Sequence, residues 1–174
     1  MIPASRLRLH GDLNANGEYI LYWMTAARRP TWNHALDHAI NLAQEHQKPL
    51  VVIECLALQH KWANDRISTF VLQGMIDNRS AFQGTYVTYI PYVETKRKEA
   101  SGLLKGWLKN AMACVIDDFP TYYPLHVLNT ALSIRPCEIH AVDSNGFMAM
   151  RAQGRDFKTA HSLRRHLHKT ITEH

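Results

Sequence analysis

The sequence predicts an α/β fold built on an open, doubly wound, mostly parallel five-stranded sheet with helices on both faces. Three observations carry that expectation. Short apolar runs rich in Val, Ile and Tyr, at 19–23, 49–55, 85–90, 113–117 and 137–142, alternate with stretches whose apolar residues recur at helical spacing. The runs are apolar nearly throughout instead of at every second position, so helices must cover both faces and the crossovers must be right-handed. Finally, 174 residues, 46% of them hydrophobic, suit a single core.

Each element has its own warrant. Trp32, Leu36, Ala39, Ile40 and Ala43 form a helical stripe after the first run, ended by Gln47-Lys48-Pro49 where the second run opens. Ile67, Phe70, Val71, Met75 and Phe82 form the next stripe, which Gln83-Gly84 terminates. Leu103, Leu104, Trp107, Leu108 and Ala111 precede the fourth run, and Val127, Leu128, Ala131 and Leu132 precede the fifth. Asp143-Ser144-Asn145-Gly146 suits a tight turn, and 146–156 reads as a loop. A last helix over 159–171 carries Ala160, Leu163, Leu167 and Ile171 on one stripe and Arg164, Arg165, His168 and Lys169 off it. The domain plan is an irregular arm over 1–18, the α/β domain over 19–150, and a loop with a basic, linker-like helix over 151–174.

Composition narrows the function classes. Twenty Lys+Arg against fifteen Asp+Glu give a net charge of +5, which permits a nucleic-acid partner without requiring one. No run of about 18 apolar residues occurs and the N-terminus has no apolar signal region, so the expectation is a cytoplasmic protein without a membrane partner. Cys55, Cys114 and Cys137 are odd in number, widely spaced and set in apolar runs, which favours reduced buried thiols over disulfides or zinc. His34 and His38 stand one helical turn apart, yet no third ligand at a recognisable spacing joins them, so no metal site is assigned.

Open parallel sheets bind ligands outside the carboxyl ends of their strands, at the switch in strand order. The turns there contain neither G-x-G-x-x-G nor G-x-x-x-x-G-K-[ST], which removes nicotinamide-dependent dehydrogenases and P-loop hydrolases. Asp117 and Asp118, followed by an aromatic cluster, point to opposite faces and so do not form an acid/base pair. One of them is expected to fix a turn or cap the next helix. No nucleophile elbow or catalytic constellation appears, and no catalytic residue is assigned.

As a string, Tyr19-Ile20-Leu21-Tyr22-Trp23-Met24 followed by Trp32-Asn33-His34-Ala35-Leu36 resembles the opening of the class II branch of the photolyase/cryptochrome family. Lys48-Pro49-Leu50-Val51-Val52 and Arg66 with Phe70-Val71-Leu72-Gln73-Gly74-Met75 are similar to the family's next strand and helix. Cys114 through Pro120, Glu138 through Gly146 and Thr159 through Arg165 continue the likeness in order. The resemblance implies a Rossmann-like antenna domain for a deazaflavin, folate or lumazine chromophore. The family's helical domain, which binds FAD and splits cyclobutane pyrimidine dimers in light-driven DNA repair, lies outside the segment that resembles it. The chain alone is therefore expected to act as a chromophore-binding or protein-interaction module. Its candidate cofactor-binding rim is Trp23, Met24, Arg28, Glu54, Asp117, Asp118 and Phe119, with Arg66 open between an interdomain salt bridge and a ligand role.

Partners implied by the resemblance are an FAD-binding domain, or a second copy meeting the exposed domain face, with DNA contacted indirectly or weakly. Two alternatives of other classes remain open. One is a nucleotide-binding α/β enzyme, which ATP binding would reveal. The other is a DNA-binding adaptor using Arg151, Arg155, Lys158, Arg164, Arg165 and Lys169, which salt-dependent affinity for duplex DNA would reveal.

Overall fold

The computed structural model describes residues 2–152 and 154–173. A 3-10 turn, Ala4–Arg6, leads into β1 (Leu7–His10), β2 (Tyr19–Met24), α1 (His34–Glu45), β3 (Leu50–Ala57), α2 (Asp65–Phe82) and β4 (Val87–Glu94). Then follow α3 (Leu103–Asn110), β5 (Ala111–Asp117), α4 (Tyr122–Ile134), β6 (Glu138–Val142), α5 (Ala160–Thr170) and a closing 3-10 turn, Ile171–Glu173. The sheet order is β1-β6-β5-β2-β3-β4; β2 to β6 run parallel and β1 pairs antiparallel with β6.

The sheet thus has six strands where the sequence predicts five. The added strand comes from the arm expected to be irregular. Leu7-Arg8-Leu9-His10 pairs residue by residue with Val142 back to Ile139. An edge strand of four residues needs only one neighbour and can leave a side chain in water, so it lacks the continuous apolar run that marks the others. Further along the arm, Gly17 crosses the start of β5 so closely that a Cβ there would lie 2.2 Å from the Met112 backbone. Only glycine fits that crossing.

Alternation along the strands divides the core into two layers. Ile20, Tyr22, Met24, Leu50, Val52, Ala113 and Val115 meet Ala35, Leu36, Ala39 and Leu42 of α1 and Phe82 of α2. On the opposite face Leu21, Trp23, Ile53, Cys114, Ile116 and Ile139 meet Leu108 of α3 and Val127, Leu128 and Ala131 of α4. Central β2 is buried from Ile20 to Met24. Each large apolar side chain so buried contributes about 1.5–3 kcal/mol.

Three expected core residues lie outside these layers. Trp32 sits at φ 53, ahead of the α1 cap, with its ring in solvent. Ile67 and Phe70 are exposed because α2 buries only Met75, Asn78 and Phe82, all in its second half. Periodicity identifies an apolar stripe, but not where the surface it packs on stops.

Candidate functional site

The order of strands reverses between β2 and β5, so the turns after these two strands flank the switch-point crevice. The buried Asp117 carboxylate closes it. Its Oδ2 accepts from the Thr25 and Ala26 amides, each at 2.8 Å, and from Thr25 Oγ1 at 3.2 Å, while its Oδ1 accepts from the Tyr22 hydroxyl at 3.0 Å. Burial raises the pKa of Asp117 despite these bonds, which pull it the other way. Asn33, the α1 cap, works from the other side. Its Oδ1 accepts from the Leu36 amide at 3.0 Å, and its Nδ2 donates to the Ala27 and Arg29 carbonyls at 2.8 and 3.0 Å. Asp117 and Asn33 together fix the loop 25–32, with Tyr22 between them.

Asp118 is occupied at one oxygen, its buried Oδ1 having no partner among the described residues. Its Oδ2 lies 2.8 Å from Arg8 of β1 and 3.3 Å from Arg151 of the loop after β6. Neither aspartate caps α4, whose N-cap is Thr121. Glu54, fully buried within β3, receives the Arg28 guanidinium at 2.6 Å and Asn78 Nδ2 at 2.8 Å, together with a hydrogen bond from the Tyr89 hydroxyl. Arg28 adds a bond to the Cys55 carbonyl at 3.1 Å. Met24 is buried in the α1 layer, Arg66 is exposed on α2, and Phe119 lines a cavity of only about 80 Å³ beside Ala26, Ala27 and Asn145. That is about half the volume of a cavity known to hold benzene, about 150 Å³, and small for a fused ring system.

A larger cavity, about 370 Å³, opens on the other face, between the ends of β3 and β4 and the helices α3 and α4. Of the seven expected rim residues it takes only Trp23. Cys55, Tyr92, Tyr123, His126 and Thr130 join it, and the small residues Ala57, Ala100 and Gly102 leave the space. The Trp23 indole Nε1–H is buried and makes no hydrogen bond of regular geometry among the described residues, though it lies near enough to the Tyr123 hydroxyl to pull that group's pKa down against burial. Burial pushes the pKa of Tyr123 and Cys55 up to about 12, so both stay neutral. Lys105 and Glu94 stand at the lining's charged margin.

Two helix N-termini also meet the cavity. Leu103, Leu104 and Lys105 open α3, and Tyr123 lies in the first turn of α4. Neither Gly102 nor Thr121 supplies a side-chain cap, so both ends keep amide donors and a partial positive charge. A wider, shallower depression of about 660 Å³ at the amino ends of β3 and β4, lined by Ile40, Pro49 and Tyr86, has no such donors aimed into it. The sequence signal for the favoured cavity is the Tyr122-Tyr123 pair after β5. The remaining lining comes from four separated elements and leaves no local motif.

Fold and cavity together define a doubly wound α/β domain with a ligand-sized site at the carboxyl ends of its strands, which is a class many families share. No family model matches the chain. Over 119 residues, 67% of its length, it is 34% identical to the deoxyribodipyrimidine photo-lyase of Methanothermobacter thermautotrophicus. That similarity relates the chain to the photolyase family. The chain spans about a quarter of that relative, 26% of its length. No helix among the described residues is long and apolar enough to cross a membrane.

Proposed function

We propose that the chain is an antenna-type α/β domain of the class II photolyase kind, which holds a planar chromophore in the cavity between α3 and α4. The observation that carries this reading is a cavity of about 370 Å³ at the carboxyl ends of β3 and β4, walled by Trp23, Tyr92 and Tyr123. The Trp23 indole N–H, which makes no hydrogen bond of regular geometry but lies near the Tyr123 side chain, is a donor that a ring carbonyl of a bound ligand can take. Trp23 and Tyr123 offer aromatic surface to a fused ring, and the uncapped ends of α3 and α4 favour its electron-rich edge. A deazaflavin, folate or lumazine meets those terms. The cavity thus replaces the switch-point rim, where Glu54, Asp117 and the Oδ2 of Asp118 are already engaged within the fold and Asp118 Oδ1 alone among their oxygens has no partner among the described residues.

Titration of the purified chain with each of the three ligands tests this, read by visible absorption and melting temperature. At least one is expected to bind and raise the melting temperature. Trp23→Phe is expected to weaken binding about ten-fold, the equivalent of one hydrogen bond. Ala57→Phe fills the cavity and is expected to abolish it. Binding that survives Ala57→Phe in a folded variant refutes the location.

A partner surface accompanies this reading. Trp32, Trp62, Phe70, Tyr122 and Phe147 are 68 to 90% exposed. They follow β2, β3, β3, β5 and β6, four parallel strands, so all five lie at one end of the sheet. Monomers rarely leave so many aromatics in water at one end. An FAD-binding helical domain, by the resemblance, is the partner that covers them, and the chain by itself is expected to self-associate there. Sedimentation velocity over a concentration series should show that association, with Trp32→Ser/Trp62→Ser returning the monomer; a monomer at every concentration contradicts it.

A further inference from the structure

We propose, resting on the cavity reading above, that a second hollow walled by His60, Arg97 and Lys98 is the tail subsite of the cavity between α3 and α4, and that it selects rings carrying an anionic side chain. This hollow measures about 360 Å³ and shares Ala57, Glu94 and Ala100 with the cavity, so the two adjoin. A fused ring system, larger than the benzene that about 150 Å³ can hold, takes most of the cavity's volume of about 370 Å³. A side chain on the ring must then leave the cavity. The adjoining hollow is a way out, at the same carboxyl ends of β3 and β4.

The segment between β4 and α3 sets the charge of that way out. Its start, Glu94-Thr95-Lys96-Arg97-Lys98-Glu99, places three cations in a row. Both carboxylates are bonded to the loop itself. Glu99 Oε2 accepts from the Thr95 amide at 2.9 Å, the Lys96 amide at 3.1 Å and Thr95 Oγ1 at 3.1 Å, and Glu94 Oε1 accepts from the Ala100 amide at 3.3 Å. Arg97 and Lys98 are exposed and, among the described residues, form an ion pair with no carboxylate. Of the charged residues walling the hollow, they oppose only Glu94. His60 adds a directed donor. Its Nδ1 accepts from the Trp62 amide at 3.0 Å, so the proton of the neutral ring sits on Nε2. Lys61, by contrast, lies over the Trp62 ring, 4.8 Å from its centroid. Just beyond Ala100 and Ser101, α3 begins with its uncapped, partly positive end at Gly102 and Leu103. Cations that outnumber the acids of a cleft draw an anion into it, and the Arg97 fork can take a phosphate or a carboxylate by two parallel bonds.

Equilibrium titration with three pairs of ligands, each pair sharing one ring, tests the subsite: 5-deazariboflavin and its 5′-phosphate, a ribityllumazine and its 5′-phosphate, and pteroate and folate, which carries one carboxylate more. For the ring that binds, the more anionic member is expected to bind about ten-fold tighter, a modest gain because the loop is solvated. Arg97→Gln/Lys98→Gln is expected to remove that preference and leave the affinity of the less charged member unchanged. Arg79→Gln/Lys109→Gln, with the same charge change elsewhere, is expected to keep it. Equal affinities within the pair, a preference that survives Arg97→Gln/Lys98→Gln, or an equal loss in the two variants overturns the subsite and leaves the cavity reading in place. Failure of all six ligands to bind overturns both.

Discussion

Asp117→Ala is expected to lower stability by about 3 kcal/mol or more, the largest effect of any single substitution considered. It strands the Thr25 and Ala26 amides and the Tyr22 hydroxyl, which have no other strong acceptor within the crevice. Since domains of this size are stable by about 5–15 kcal/mol, this is a large share of the total. Asp117→Asn separates geometry from charge. Both loop amides address Oδ2, so an Asn oxygen there keeps them, and its Nδ2 can face Tyr22, whose hydroxyl also lies near Asn33 Oδ1 at 3.4 Å. A loss of about 1 kcal/mol is expected for Asn. Urea unfolding of both variants measures the difference; equal losses show that the charge, and not the placement of acceptors, fixes the loop.

Acidification is expected to have the second large effect, through the pair His38 and His140 that joins α1 to β6. His140 Nε2 lies 2.9 Å from Glu138, so that nitrogen donates, and its Nδ1 accepts from His38 Nε2 at 2.7 Å. A further proton on the pair destroys this arrangement. Burial, and then the neighbouring His140, lower the pKa of His38 to about 4, against opposing pulls from Glu45 and Glu138. Burial likewise lowers that of His140, with Glu138 opposing and His46 adding to the fall. Unfolded histidine titrates near 6.5. Both folded values lie below it, so the unfolded chain takes up protons first. The pair's contribution is complete above pH 6.5 and is lost as pH falls from there toward about 4. Each proton so taken up costs at most about 1.4 kcal/mol per pH unit, less for His38 because it is partly solvated. Urea unfolding at several pH values, for the protein and for His38→Gln, isolates the term. The two stability curves should converge on acidification, and parallel curves contradict the assignment.

The sheet was legible because buried parallel strands are apolar nearly throughout, and 19–23, 49–55, 113–117 and 137–142 are, with Glu54, Asp117, Glu138 and His140 as the interruptions. β1 was not, since Leu7 and Leu9 alternate with Arg8 and His10 on an edge. The chemistry at the carboxyl ends was legible only by residue type. Arg28, Glu54, Asp117 and Asp118 were marked as candidate cofactor-binding groups by residue type and position, but nothing local says whether such a group faces a ligand or another residue. Tyr22, Asn78 and Arg8 answer that for Asp117, Glu54 and Asp118, and each is remote in sequence from the group it satisfies. Trp23 was found because it ends a strand. Cys55, Tyr92, Tyr123, His126 and Thr130 become its neighbours only when α3 and α4 close over β3 and β4.

Asn33 illustrates how a residue noted only as part of a string acquires a physical role. It caps α1, and its amide donates into the loop that follows β2. A buried Asn with its oxygen and both carbonyl-directed bonds in use cannot be replaced without leaving donors or acceptors unpaired. The same loop carries Trp32 into solvent, so the network that closes the switch-point crevice also positions part of the exposed aromatic end.

A crystal structure of the chain grown with the chromophore that binds best tests the central claim most directly. Electron density for the ring system is expected between α3 and α4, with Trp23 Nε1 within hydrogen-bond distance of a ring carbonyl and Tyr123 against the ring. Density beside Ala26 and Phe119 at the switch point, or a cavity left empty by a ligand bound elsewhere, contradicts the account.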